Sequence, residues 1–335
     1  MKKLKLKGTY YEMGLQMGEF LKETEGYPPK FPKEVLEKSV VYEEEARKYT
    51  PDLLEEFRGI ADALDIDYYI PVTLELTPYR FQTQCLVFAI SGEHTKSGLP
   101  ILGRSHEWDE EDSEHLRLCF TEPEGKVKSL GFTFSWPLVS RYGGINEAGL
   151  ALASASSSFE NTSPGIMLNI ATRWILDNCR TTKEAVTFLE KMPKVWGETY
   201  VIVDKENTIA KVESHAKKTN VTYSKTGFAA NTLHYDSLEM QYLVSQEEKD
   251  LFKEPFRKRM TFLNDWFEQN KEDIDEEMIK DVLRNHEHQM CYHDFHGSIG
   301  LEICWSYILT IGKEEALVCA GRPCKNDFVS VKNLN

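Results

Sequence analysis

A layered α+β sandwich is the fold this sequence predicts, and three observations predict it. Apolar residues recur at helical spacing through residues 10–80, the texture changes to short apolar and alternating runs from Cys85 onward, and two further helical blocks interrupt those runs. Strands, helices, strands, helices and strands again, with mostly antiparallel connections, fit layers of sheet and helix around a shared core.

The elements follow in order. Met13, Leu15, Met17, Phe20 and Leu21 repeat with roughly helical spacing, and residues 35–49 and 53–64 carry similar patterns broken by Pro and Gly, so the first eighty or so residues read as a helical segment. Strand-like runs then occupy 85–91, 99–104, 115–121, 127–134, 138–145 and 149–155, with turn residues between them. Helices are expected over 165–178 and 182–191, where Thr181 or Thr182 with Glu184 makes an imperfect helix start. Strands resume at 199–203, 207–213, 219–224 and 228–231; the acidic stretch 247–288 reads as two helices; 303–311 and 315–320 form a last hairpin. Neither an internal repeat nor a low-complexity tract is evident.

Composition narrows the function classes. With 335 residues and 41% hydrophobic content, the chain can bury a substantial core. A formal charge of −14, with no cluster of Lys and Arg interleaved with aromatics, argues against nucleic acid as a partner. The basic start Met1-Lys2-Lys3 has no long apolar segment after it, and no run approaches the length of a membrane span, so a cytoplasmic protein without a membrane partner is expected. Seven cysteines, an odd number at scattered positions, do not make a disulfide framework and fit a reducing compartment.

Cys85 is the residue with the most chemistry around it. It opens the run Gln84-Cys85-Leu86-Val87-Phe88-Ala89-Ile90, and a second strand-like run leads into Gly103-Arg104-Ser105-His106-Glu107-Trp108-Asp109. A hairpin would bring those charges back to the cysteine. If the chain is cut between Gln84 and Cys85, one residue carries both a thiol and an α-amine of pKa about 7.7–8.0, hence nucleophile and base together. Arg104 could favour the thiolate or hold a substrate carboxylate, and Glu107 or Asp109 could orient the new ammonium. Taken singly, each feature has a plainer account: a free cysteine is more often a core residue, Arg104 with Glu107 or Asp109 a surface ion pair, and Asn146-Glu147-Ala148-Gly149 a hairpin turn.

The ordered set Cys85, Gly103–Asp109, Gly144-Ile145-Asn146-Glu147-Ala148-Gly149-Leu150-Ala151 and Ala230-Asn231-Thr232 resembles the N-terminal-nucleophile hydrolases related to isopenicillin N acyltransferase and choloylglycine hydrolase. Gly8–Gly18 resembles the propeptide start of the acyltransferase branch, and Ala320-Gly321-Arg322-Pro323-Cys324 its C-terminal signature. The resemblance implies an αββα four-layer sandwich. It implies self-cleavage into a helical pro-segment, residues 1–84, and a catalytic domain, residues 85–335, that stay associated.

Matched residue by residue, Cys85 falls on the nucleophile, Arg104 on the arginine beside it, and Glu107 on the acidic position, with Asp109 a second candidate. Asn231 falls on the oxyanion-hole asparagine. Asn146, Ser156 and Trp108 are oxyanion or substrate-binding candidates, Ser156 standing where the family has a downstream asparagine. Phe256 occupies the place of a family arginine, and whether Arg257 or Arg259 substitutes for it stays open.

The resemblance implies a cysteine amidase or N-acyltransferase acting through a Cys85 thioester on a linear amide, with a small-molecule substrate, no cofactor and a possible homo-oligomer. Trp108, Phe134, Trp136 and Phe159 are candidates for an apolar acyl pocket, although aromatics on strands are more often core. Two rivals stand beside this reading. One is an uncleaved, non-catalytic binding protein on the same fold. The other is a metal-dependent hydrolase built on His286, His288, Cys291, His293 and His296, whose spacing is not that of a standard finger.

Overall fold

Leu4 and Leu6 are buried while the lysines around them are exposed, and this period-two pattern makes a strand, β1 (Lys2–Gly8), at the head of a segment that the sequence predicts as helical. The computed structural model describes all residues except 25–28, 79–83, 109–115, 135–137, 161, 232–234, 252, 293–301 and 333–335. After β1 come the expected helices, α1 (Tyr10–Thr24), α2 (Lys33–Lys38), α3 (Val40–Tyr49), α4 (Pro51–Leu64) and α5 (Tyr69–Leu76). Helices α1 and α4 cross almost backbone to backbone: a Cβ added at Gly14 would lie 2.2 Å from the Glu56 carbonyl oxygen, so only glycine fits there.

The β-rich part runs β2 (Gln84–Ile90), β3 (Ile101–Trp108), β4 (Leu116–Pro123), β5 (Ser129–Phe134), β6 (Gly143–Asn146) and β7 (Leu150–Ser158). It continues through α6 (Leu168–Asn178), α7 (Thr182–Lys191), β8 (Gly197–Asp204), β9 (Ile209–His215), β10 (Lys218–Ser224) and β11 (Gly227–Asn231). A short α8 (Leu238–Gln241), α9 (Gln246–Leu251), α10 (Lys253–Asn270), α11 (Glu276–Arg284), β12 (Glu302–Thr310), β13 (Glu315–Ala320) and β14 (Val329–Lys332) complete the chain. Helix α7 starts with a full capping box between Thr181 and Glu184.

Residues 138–142 are not the strand their apolar pattern suggests. The buried Glu75 carboxylate accepts the backbone amides of Leu138, Val139 and Ser140 at 2.7, 3.3 and 2.9 Å, which takes those donors out of any ladder.

Among the described residues the strands form two sheets, ordered β1-β4-β5-β6-β7-β8-β9-β10 and β11-β2-β3-β12-β13-β14. One apolar core lies between them, including Val87, Leu102, Phe132, Val201 and Tyr307. A second packs α1, α4, α6 and α7 on the outer face of the larger sheet, and a third packs α10 and α11 on the outer face of the smaller one. Four layers result, αββα. Segment 1–76 is part of this body: β1 pairs in parallel with β4, and Arg173 on α6 bonds Glu56 on α4. No helix among the described residues is long and apolar enough to cross a membrane.

Candidate active site

The β2–β3 hairpin sets Cys85 opposite His106 and Val87 opposite Arg104. Val87, Ala89 and Leu102 belong to the core between the sheets, whereas Leu86, Phe88, Ile90 and Ile101 pack toward α10 and α11. Alternation therefore turns Cys85, Arg104 and His106 to the inter-sheet face and Glu107 to the helical face.

On the inter-sheet face Arg104 Nη2 donates to Cys85 Sγ at 2.7 Å and lies 3.3 Å from His106 Nδ1, which is itself 3.5 Å from the sulfur. All three side chains are buried. The guanidinium lies over the rings of Trp305 and Tyr142, with its carbon 5.2 and 5.7 Å from their centroids, and its Nε and Nη1 have no hydrogen-bond partner among the described residues. A buried cation held by aromatic faces and a sulfur favours negative charge on that sulfur.

Burial pushes the Cys85 thiol up from its ordinary value, and the Arg104 charge and hydrogen bond pull it partly back. His106 is held well below the ordinary imidazole range, first by burial and then by the Arg104 charge, so it is neutral at pH 7. Because the guanidinium can only donate, Nδ1 is assigned as the acceptor and Nε2 as the protonated nitrogen. The ring stacks on Trp305 at 4.5 Å with Phe134 and Tyr142 around it. An imidazole this hard to protonate is a weak base. His106 had no role assigned from sequence, although its position two residues after Arg104 already put the two on one strand face.

On the opposite face Glu107 Oε1 forms a fully buried ion pair with Arg259 Nη1 of α10, and Arg259 Nε donates to the Gln289 carbonyl at 2.6 Å. Glu107 Oε2 is buried and has no partner among the described residues. Of the two arginines left open by sequence, Arg259 is the one joined to the acidic position; the side chains of Phe256 and Arg257 lie outside the described residues.

The remaining candidates spread over both sheets. Backbone pairing sets Asn231, at the end of β11, opposite Leu86, next to Cys85; the side chains of Asn231 and Gln84 lie outside the described residues, as do Asp109, Thr232 and Trp136 altogether. Trp108 is half-buried, its ring 6.0 Å from that of Phe134. Ser156 is buried on β7, which packs against β2, and is paired opposite Glu198. Phe159 packs on Trp196 in the core outside the larger sheet.

Asn146 spends its side chain within the turn. Its amide donates to the Leu176 and Cys179 carbonyls at 3.0 and 2.7 Å, and its oxygen accepts from the amides of Ala148 and Leu150. Asn146→Ala is expected to destabilise the fold by about 2–6 kcal/mol, since two buried carbonyls lose their donor at about 1–3 kcal/mol each. Urea unfolding checks this, and the folded fraction should retain its specific activity.

A thiol near the head of an inner strand, an arginine on the neighbouring strand and four αββα layers define the architecture of an N-terminal-nucleophile hydrolase. Two solved structures of variants of the conjugated bile acid hydrolase from Clostridium perfringens share the fold: one at TM-score 0.52 and 15% identity over 74% of this chain and 92% of that one, the other at 0.51 and 14% over 74% and 97%. The penicillin V acylase from Agrobacterium tumefaciens is similar at TM-score 0.48 and 16% identity, over 74% of this chain and 86% of that one.

The chain belongs to the acyl-coenzyme A:6-aminopenicillanic acid acyl-transferase family, whose sequence profile matches residues 94–313. That span includes Arg104, Glu107, Asn231 and Arg259, and Cys85 lies just upstream of it. Membership makes the protein a hydrolase or acyltransferase acting on amides. Among curated proteins none matches the chain.

Proposed function

We propose that this protein is a self-processing cysteine amidase or N-acyltransferase that takes the acyl group of a linear, non-peptide amide through a thioester on Cys85. The observation that carries the reading is the Arg104 guanidinium, buried and without a carboxylate partner among the described residues, bonded to Cys85 Sγ at 2.7 Å. Such a cation would be poorly compensated unless the sulfur bears charge during the reaction.

Self-processing would begin with addition of the Cys85 thiol to the Gln84 carbonyl. The C–N bond breaks as the amine takes a proton, and water hydrolyses the thioester to leave a carboxylate at Gln84 and a free α-amine at Cys85. Glu107 lies opposite Gln84 in the ladder and keeps one carboxylate oxygen unused, which supports a role in holding the new ammonium.

In turnover the α-amine would deprotonate the thiol, the thiolate would attack the substrate carbonyl, and the ammonium would return its proton to the leaving amine. Asn231 and a backbone amide would bind the oxyanion, and water or a second amine would take the acyl group. On this reading Asn231→Ala lowers kcat by about 10²–10³ with little change in fold, the usual effect of removing one oxyanion donor; steady-state kinetics with a circular-dichroism control would measure it.

The direct test is acid-quenched mass spectrometry during exposure to penicillin V, a glycine-conjugated bile salt and N-acyl amino acids. An acyl adduct confined to Cys85, with release of the matching amine, is expected from at least one class. Neither adduct nor amine from any of them would count against the reading.

A further inference from the structure

Away from Cys85, three of the residues that bind metals best meet at the junction of two loops. His286 and Cys291 lie on the connection that leaves α11, Cys324 on the loop after β13, and their donor atoms all fall within 4.8 Å of one another. They are separated by up to 38 positions in sequence, so the fold brings them together. Cys319, at the end of β13, adds a fourth thiol close enough to interact electrostatically with both other cysteines. Its sulfur contacts the carbonyls of Gly321 and Asn326, at 3.6 and 3.5 Å, on the same loop as Cys324.

The geometry points to a zinc site: we propose that His286, Cys291 and Cys324 ligate a zinc ion, with the fourth position left to water or to the neighbouring Cys319 thiol after a side-chain movement. Three atoms no more than 4.8 Å apart lie within about 2.8 Å of a common centre, and zinc bonds sulfur at about 2.3 Å and imidazole nitrogen at about 2.0–2.1 Å, so no ligand has to move more than about 0.8 Å. Soft thiolates with one imidazole select zinc over magnesium or calcium, and two cysteines with a histidine, away from Cys85, suit a site that fastens two loops.

The cluster differs from the one the sequence suggests. His288 stacks on Phe262 at 4.3 Å, its Nδ1 lies 3.3 Å from Asn285 Oδ1, and His293 and His296 lie outside the described residues. Among the described residues Cys324 takes the place that sequence proximity gave to His288, from a segment that spacing could not connect to the histidines.

The position gives the ion a consequence. Between His286 and Cys291 the chain passes through Gln289, at the unusual φ of 59°, and the Gln289 carbonyl holds Arg259, which pairs with Glu107 behind Cys85. Arg284, just before this segment, already bonds the Pro323 carbonyl of the partner loop at 3.2 Å. A metal fastening both loops would fix the carbonyl that orients Arg259.

The test uses full-length protein purified in reducing buffer without chelator. Elemental analysis should give one zinc per chain, and cobalt(II) added to the apoprotein should produce the sulfur-to-metal charge-transfer bands and visible intensity of a tetrahedral thiolate site. Chelator should lower Tm and stoichiometric zinc restore it. Cys291→Ser and Cys324→Ser should lose the bands, whereas His288→Ala should keep them. Wild-type protein that binds neither metal, a Cys291–Cys324 disulfide in its intact mass, or cobalt bands that survive both serine substitutions would overturn the proposal. These readouts do not involve turnover, so they stand whether or not Cys85 is a nucleophile.

Discussion

Cys85→Ala is expected to run as one full-length chain under denaturing conditions, while the wild type resolves into residues 1–84 and 85–335. The expectation rests on the proposed chemistry: the sulfur that would attack is adjacent to the bond it would break, and Arg104 is already bonded to it. The neighbouring imidazole cannot substitute as the base in turnover, because burial and Arg104 hold His106 well below its ordinary value. Amidase or transferase activity should fall by about six orders of magnitude, the scale seen when the nucleophile of a hydrolase is removed.

The two fragments should nevertheless co-elute under native conditions, since β1 is paired along its length with β4. Intact-mass spectrometry and gel filtration on the same samples decide the matter. A wild-type chain that remains uncut after prolonged incubation, indistinguishable from Cys85→Ala, would remove self-processing and with it the N-terminal thiol as nucleophile.

Arg173→Met should produce the largest loss of stability, about 3–5 kcal/mol, the usual result of removing one partner from a buried ionic cluster. Arg173 on α6 meets Asp177 at 2.8 Å and Glu56 on α4 at 3.0 Å, and Tyr10 on α1 donates to Asp177 at 3.0 Å. Arg173, Glu56 and Asp177 are completely buried. Burial already raises both carboxylates, with Arg173 opposing the shift. Without the guanidinium two buried acidic groups keep only the more distant Arg141 charge and, for Asp177, the Tyr10 hydroxyl.

The pH dependence follows from the sign of those shifts. A carboxylate whose folded-state pKa lies above its unfolded value stabilises the fold at low pH and loses that contribution as pH rises through the folded value. Arg173→Met raises both further, so its deficit against wild type should be largest at neutral pH and shrink on acidification toward the ordinary carboxylate range. Urea unfolding at several pH values reads this directly. The triple variant Glu56→Gln, Arg173→Met, Asp177→Asn, which removes both carboxylates together with the guanidinium and leaves the nearby buried Arg141 on its carbonyls, should lose less than Arg173→Met alone at neutral pH. A loss below about 1 kcal/mol for Arg173→Met would mean that water reaches the cluster and that the joint between residues 1–84 and the rest is looser than described.

Much of this was legible along the chain because it is written in local periods. The helical spacing of Met13, Met17 and Leu21, the alternation of 85–90 and 101–107, and the Thr181–Glu184 cap all appear in the fold. Local pattern misled where a distant group intervened, as at 138–142, whose amides go to Glu75.

For the site, the sequence alone determined which residues share a strand face, since side chains alternate with period two whatever packs on them: Arg104 and His106 together, Glu107 opposed. Only the tertiary structure decided which partners those faces meet. Arg259 reaches Glu107 from α10, and Cys324 rather than His288 joins His286 and Cys291. Both choices depend on how α10, α11 and the β13–β14 loop dock on the smaller sheet, and docking is set by the burial of many apolar side chains at once, which spacing along the chain does not encode.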